Sequence, residues 1–396
     1  MKKPLFLLFA VMPALLSCSY SMRLPSVHEP FASPKWSRCA GELAARQARA
    51  LVKDLLLDSQ AILCRAAVSA SKGQVDESVE LFTEVGVRNK EDFRPHYLAG
   101  RVLADSGRYD EALTSFERAA RRNPALVVPT KDLGSQVNER SGPNVAIDFL
   151  VRAEARGLCD YECQGLLART YQAAKRRDEA RKVYEEMIAK KPQEPGAYVA
   201  LAGLENAAGH FQAEAELLFL ASTCAAFSEL SPAQRAEILY SLAFAKYNAG
   251  EYGRAANAIS EALALDGSSA PWHLLRGWIE LKRDDPEAAS LAFRKARTLD
   301  KHLAGAYVGL GDVAMLQGDA VAALTSFERA AQLAPTEATT LLKIAYAHAL
   351  LGNKEKALGL VQQAARLDRE QLPAELIESI GSLLEEAVIT GVTGAN

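Results

Sequence analysis

Six cysteines, Cys18, Cys39, Cys64, Cys159, Cys163 and Cys224, are the residues of this sequence best suited to covalent chemistry. Cys159 and Cys163 sit four positions apart. That spacing permits a local disulfide where a loop enters a helix and strains one inside a regular helix, so a bridge and two half-buried thiols both stay open. Cys64 and Cys224 fall in helical runs and read as small buried apolar residues. No histidine accompanies these cysteines, so they form no metal site. The histidines themselves (His28, His96, His210, His273, His302 and His348) are scattered, and no HExxH pair occurs to hold a zinc ion. Gly309-Leu310-Gly311-Asp312-Val313-Ala314 mimics a dinucleotide-binding fingerprint, but it lies inside a helical run and not between a strand and a helix. Neither GxSxG nor GxxxxGK[ST] is present. The sequence therefore predicts no catalytic residue, no cofactor and no metal: not an enzyme.

The elements that surround these residues are helical. The chain has 396 residues, 49% hydrophobic and 24% charged, which suits a folded protein. Aromatic residues make up only 7%, and Ala and Leu are abundant, which favours helix over strand. A formal net charge of -3 leaves no basic footprint, so nucleic acid is not expected as a partner.

The chain repeats itself. Gly107-Arg108-Tyr109-Asp110-Glu111-Ala112, followed by Phe116, Ala119 and Pro124, returns as Gly318, Ala323, Phe327, Ala330 and Pro335. The string Leu-Thr-Ser-Phe-Glu-Arg-Ala-Ala occurs at both 113–120 and 324–331. A ruler of about 34 residues starts repeats at Ser59, Phe93, Val127, Tyr161 and Pro195, skips 229–235, and resumes at Ala236, Ala270, Ala304 and Ala338. Position 8 then reads Ala66, Gly100, Gly134, Ala168, Ala202, Ala243, Gly277, Gly311 and Ala345, all small. Position 20 reads Ser78, Ala112, Ala146, Ala180, Glu214, Ala255, Ala289, Ala323 and Ala357, with Glu214 the one departure. Small residues at 8 and 20 let two helices approach closely, a large residue at 24 fills the space between them, and glycine at position 15 ends the first helix.

This pattern resembles the tetratricopeptide repeat (TPR). The resemblance implies an all-α, right-handed superhelical solenoid of about nine helix-turn-helix repeats, each stabilised by its neighbours. Residues 59–228 are expected to hold five repeats, 229–235 an insertion that lengthens a loop or separates two halves, and 236–371 four more. A capping helix is expected within 39–58. The segment 372–396 should hold a second one, over 373–389, and a loose tail from Gly391.

In TPR proteins, positions 2, 5, 9, 12 and 13 of each first helix line a concave groove. Carried onto this sequence, the rule gives a polar, cationic front half with Arg94, Tyr97, Arg101, Lys131 and Arg169. The rear half is aromatic, with Tyr240, Phe244, Tyr247, Trp278 and Tyr346. Tyr97, Tyr240 and Tyr247 are equally well read as packing residues, and the cations as a solvated face. Phe244 and Trp278 stand out as anchors for a ligand. The family's carboxylate clamp, Lys and Asn at positions 5 and 9, is missing, because Lys131 is followed by Ser135.

The amino terminus carries Lys2, Lys3 and a short apolar stretch, too short to span a bilayer. Leu15-Leu16-Ser17-Cys18 resembles the lipobox of bacterial lipoproteins. By that resemblance 1–17 is a signal peptide, Cys18 is lipidated, and 18–38, with Pro25, Pro30 and Pro34, is a linker. Ser19, where an inner-membrane retention signal has Asp, points to a periplasm-facing outer-membrane lipoprotein; a secreted or soluble periplasmic protein is the alternative. The function expected is a scaffold that binds a protein or peptide partner in the groove and meets the membrane through its lipid. The alternative is a periplasmic factor for acidic exopolysaccharide export.

Overall fold

A computed structural model of the chain describes residues 59–126, 128–367 and 372–393. The expected signal peptide, Cys18, linker and first capping helix lie outside the described residues. Within them the fold is all-α: nineteen helices in consecutive packed pairs, with one 3-10 turn at Ala225–Glu229. The second helix of every repeat starts at position 17, from Val75 and Tyr109 through to Ala320 and Lys354. The third repeat is irregular at its front. Its first helix, Thr130–Ser141, begins only after Pro129, because a residue before proline is driven out of the α region.

Position 24 supplies the wedge of each pair. Phe82, Phe116, Leu150, Leu218, Ile259, Phe293 and Phe327 are all buried there. Each lies against the small residue at position 8, and glycine is needed where the contact is tightest. A Cβ on Gly100 would stand 2.7 Å from the Phe116 ring, and one on Gly277 or Gly311 would stand 2.3 Å from Phe293 or Phe327. At position 20, where the sequence departs from the small-residue rule, Glu214 is buried. Burial pushes its carboxyl pKa up, and Asn206 Nδ2 donates to its Oε2 at 2.9 Å.

The turn inside each repeat is set by position 15, except in the third, where Gly142 at position 16 takes the positive φ. Gly73, Gly107, Gly209, Gly250, Gly318 and Gly352 take positive φ there, and so do Lys175 and Asp284, both at φ 62°. The backbone N–H of position 16 then returns to the carbonyl of position 11, as from Asp319 to Ala314 at 2.9 Å.

The chain divides into two compact units, 1–183 and 184–396, inside helix Arg177–Lys190. The insertion 229–235 does not mark this division. Ser231 forms a capping box with Gln234, and Pro232–Arg235 become the first turn of helix Pro232–Asn248. At the carboxyl end the helix Ala374–Thr393 runs past the expected limit at 389 and includes residues read as tail. It seats Ile380 in the core of the ninth repeat.

The cysteines resolve as follows. Cys159 and Cys163 are bonded, with Cα atoms 5.2 Å apart, where a loop enters helix Tyr161–Ala173. Asp160 caps that helix by accepting from the Cys163 N–H at 2.8 Å. Cys64 is buried as expected but is disulfide-bonded, which corrects its reading as an unpaired apolar residue. Cys224 is a free, half-buried thiol.

The contact between positions 8 and 24 is testable. Gly311→Ala should destabilise the second unit by about 1–3 kcal/mol, the range for overpacking a filled core. Phe327→Leu in the same chain should recover part of that loss. Thermal unfolding of both single variants and the double variant gives the coupling, and strictly additive losses would show that the ring and the glycine do not constrain each other.

Candidate binding groove

The candidate residues of the first unit are largely engaged with their own neighbours. The Arg94 guanidinium grips the Asp92 carboxylate with two bonds, Nε to Oδ1 at 2.8 Å and Nη2 to Oδ2 at 2.7 Å. Tyr97 is 1% exposed, with its ring edge-on to Phe116 at 5.6 Å. It wedges the second repeat together, in keeping with the packing reading of the two that the sequence left open. Arg101 is half-buried, and its charge faces Asp105. Lys131 Nζ donates to Glu162 Oε2 of the next repeat at 2.6 Å. That bond holds the lysine pKa above its ordinary value and the glutamate pKa below it. Arg169 is exposed, near enough to Lys131 to oppose its charge. The expected cationic face is thus a set of ion pairs with Arg169 beside them.

The second unit is different. Phe244, Trp278, Asp312 and Tyr346 occupy position 9 of four successive first helices, Pro232–Asn248, Ala270–Lys282, Ala304–Leu316 and Ala338–Leu350. Phe244 is 39% exposed. Trp278 and Tyr346 are half-buried. The indole of Trp278 rests edge-on against Phe293 at 4.9 Å, so the position-24 ring beneath it fixes its orientation. Tyr240 stacks on buried Trp272 at 5.5 Å, and Tyr247 tilts against Tyr252 at 5.7 Å. Burial pushes both phenol pKa values up. These two tyrosines support the row more than they extend it.

Trp278, Asp312 and Tyr346 open onto one depression of about 960 Å³, with Leu316, Val321 and Leu350 on its apolar side. Leu316 is 65% and Val321 63% exposed, although both are large apolar side chains. Exposed apolar surface gathered in one place is a mark of recognition. Asp312 is held from behind by Lys343, whose Nζ donates to Oδ1 at 2.6 Å and also to Oδ2. The ammonium lies 6.0 Å from the Trp278 ring centre and 5.7 Å from that of Phe327. Burial pushes the Asp312 carboxyl pKa up, and the charge of Lys343 pulls it the other way. Sequence reasoning missed this pair. The available signal was one acid in an otherwise aromatic position-9 row.

Among the described residues no three metal-ligating side chains gather, and no helix is long and apolar enough to cross a membrane. The arrangement offers apolar anchoring around one half-buried ion pair, Asp312 with Lys343.

Three stretches of the chain match models described as Tetratricopeptide repeat: residues 93–126, 163–198 and 240–304. No curated protein matches the chain. Among solved structures, a MamA protein is 19% identical, with 45% of this chain and 96% of that one covered at TM-score 0.37. YrrB, described as a TPR protein with an unusual peptide-binding site, is 17% identical, with 48% and 93% covered at TM-score 0.37. The APC/C hetero-tetramer Cut9-Hcn1 is 14% identical, with 91% and 61% covered at TM-score 0.46. By the three model matches the chain carries tetratricopeptide repeats, which serve in general as protein-interaction scaffolds.

Removal of the ammonium tests the ion pair. Lys343→Met takes away the only influence found to lower the Asp312 pKa, so the folded-state pKa should rise further above the unfolded value. A carboxyl with a raised folded pKa stabilises the fold most when protonated and least once pH exceeds that pKa. The variant should therefore lose more stability at pH 7 than at pH 4. Equal losses in thermal melts at the two pH values would show that Asp312 carries no charge cost.

Proposed function

We propose that this tetratricopeptide-repeat protein is a non-catalytic adaptor of the bacterial cell envelope that holds an extended segment of a partner protein along the second unit's groove. The observation that carries this reading is the row Phe244, Trp278, Asp312 and Tyr346, one residue from each of four consecutive first helices, of which Phe244 is exposed and the other three open onto apolar surface. Helices in contact lie roughly 10 Å apart, which is about one turn of a polyproline II segment, with three residues per turn at ~3.1 Å each. Every third side chain of a bound segment would then meet one member of the row. Aromatic anchors of this kind carry a large share of binding energy in interfaces.

The envelope setting rests on the lipobox-like Leu15-Leu16-Ser17-Cys18. The disulfide at Cys159 and Cys163 and the bonded state of Cys64 support it, since such bonds persist in oxidising compartments. The acidic-polysaccharide reading is the weaker one. It needs available cations on the first unit, where Arg94 and Lys131 already hold carboxylates.

Affinity purification of the tagged protein from membranes of its own host tests the reading. The Phe244→Ala, Trp278→Ala double variant should lose at least tenfold of the recovered partner, the loss of about 1.4 kcal/mol or more expected on removing such anchors. Intact mass of the same bait should show lipid on Cys18. Full recovery of partners by the double variant would sink the groove assignment, and an unmodified Cys18 would sink the anchor.

A further inference from the structure

The groove does more than offer apolar surface, because the half-buried carboxylate of Asp312 is presented to it with a definite sign. Asp312 lines the depression between Trp278 and Tyr346, whereas Lys343, which holds it, does not reach the lining. A carboxylate has about four acceptor positions. Lys343 approaches with a single ammonium, pinned between the Trp278 and Phe327 rings. Asp312 is itself part of the lining, so acceptor capacity remains there for an occupant.

The chemistry of an occupant follows from that exposure. A neutral apolar segment laid over Asp312 would strip water from a carboxylate whose burial already disfavours its charge. An acidic segment would add like-charge repulsion in the same place. A guanidinium supplies two parallel donors to a carboxylate and stacks its plane on an indole, and Trp278 stands beside Asp312 in the row. The remaining charged lining does not reverse this choice, since it holds one cation, Lys282, and one further carboxylate, Asp319.

Resting on the adaptor reading above, we infer that the occupant is a basic-apolar peptide segment. Its aliphatic side chains cover Leu316, Val321 and Leu350, and an arginine or lysine docks on Asp312 beside Trp278. The sign is opposite to that of an acidic ligand, for which the first unit was the natural candidate.

The probe is a phage-displayed library of random dodecapeptides, selected on the full-length mature protein, on Asp312→Asn and on Leu316→Glu, with sequencing of each pool. The unaltered protein should enrich peptides that carry Arg or Lys among aliphatic residues. Those peptides should bind Asp312→Asn roughly tenfold or more weakly, the cost of a lost charge-assisted bond, and should be lost on Leu316→Glu. Changing the basic residue of the best peptide to Gln should give the same loss on the unaltered protein, so the result stands even if Asp312→Asn folds poorly. A pool that depends on Leu316 but is neutral or acidic, or that binds Asp312→Asn equally well, overturns this inference and leaves the groove reading in place. A library that yields no enriched pool on the unaltered protein overturns both.

Discussion

The close contact between a small residue at position 8 and a large one at position 24 is the constraint on which the rest of this structure depends. A helix pair can close only if one backbone comes near enough to meet a large side chain on the other, a ring in the tightest cases. At Gly277 and Gly311 no room remains for even a methyl group. Such a contact is short-range and steric, so it tolerates little variation and fixes helix spacing tightly. Because each repeat makes it with its own second helix, the geometry is renewed locally, and neighbouring repeats need only stack.

The same rings place the binding surface. Phe293 meets Gly277 and Gly309 on its buried side and carries the edge of Trp278 on another. Phe327 meets Gly311 and lies beneath the ammonium of Lys343. With positions 8 and 24 turned inward, position 9 follows on the next side of the helix, toward the groove. The row Phe244, Trp278, Asp312 and Tyr346 is therefore a by-product of how the helix pairs close. Its side chains can vary in chemistry without disturbing the helix contacts that present them, which is why an acid can stand among three aromatics.

This division explains what the sequence made legible. The repeat register was readable because position 8 admits only small residues, and the second helices duly begin at position 17 throughout. The left-handed turn at position 15 was readable wherever glycine marked it. It was missed at Lys175 and Asp284, where the turn imposes a positive φ on residues that do not advertise one. Tyr97 sits at a groove position by number yet is buried, because the Phe116 ring draws it inward. The helical fate of Pro232–Arg235 lay in the Ser231 and Gln234 capping pair, a local signal that counting repeats passed over. The Asp312–Lys343 pair was invisible for a different reason. Its members stand in different repeats, at positions 9 and 6, and meet only once the helices are side by side.

The separation in that last pair has a simple origin. Two first helices one repeat apart lie alongside each other, and a step back of about one helical turn from the repeat length brings residues i and i+31 together. Neighbouring first helices use this spacing twice, for Lys131 with Glu162 and for Asp312 with Lys343. Identical spacing does not give identical chemistry. Lys131 and Glu162 are largely solvated, so water and salt screen their attraction and either partner is readily exchanged. Asp312 and Lys343 have about a quarter of each side chain exposed, with the ammonium beside the Trp278 and Phe327 rings, where screening is weaker and an unmatched charge is costly. What distinguishes the second unit as a recognition surface is therefore the burial of the pair and not its presence. A solvated pair leaves a passing ligand indifferent to charge, whereas a half-buried carboxylate makes the sign of the ligand matter.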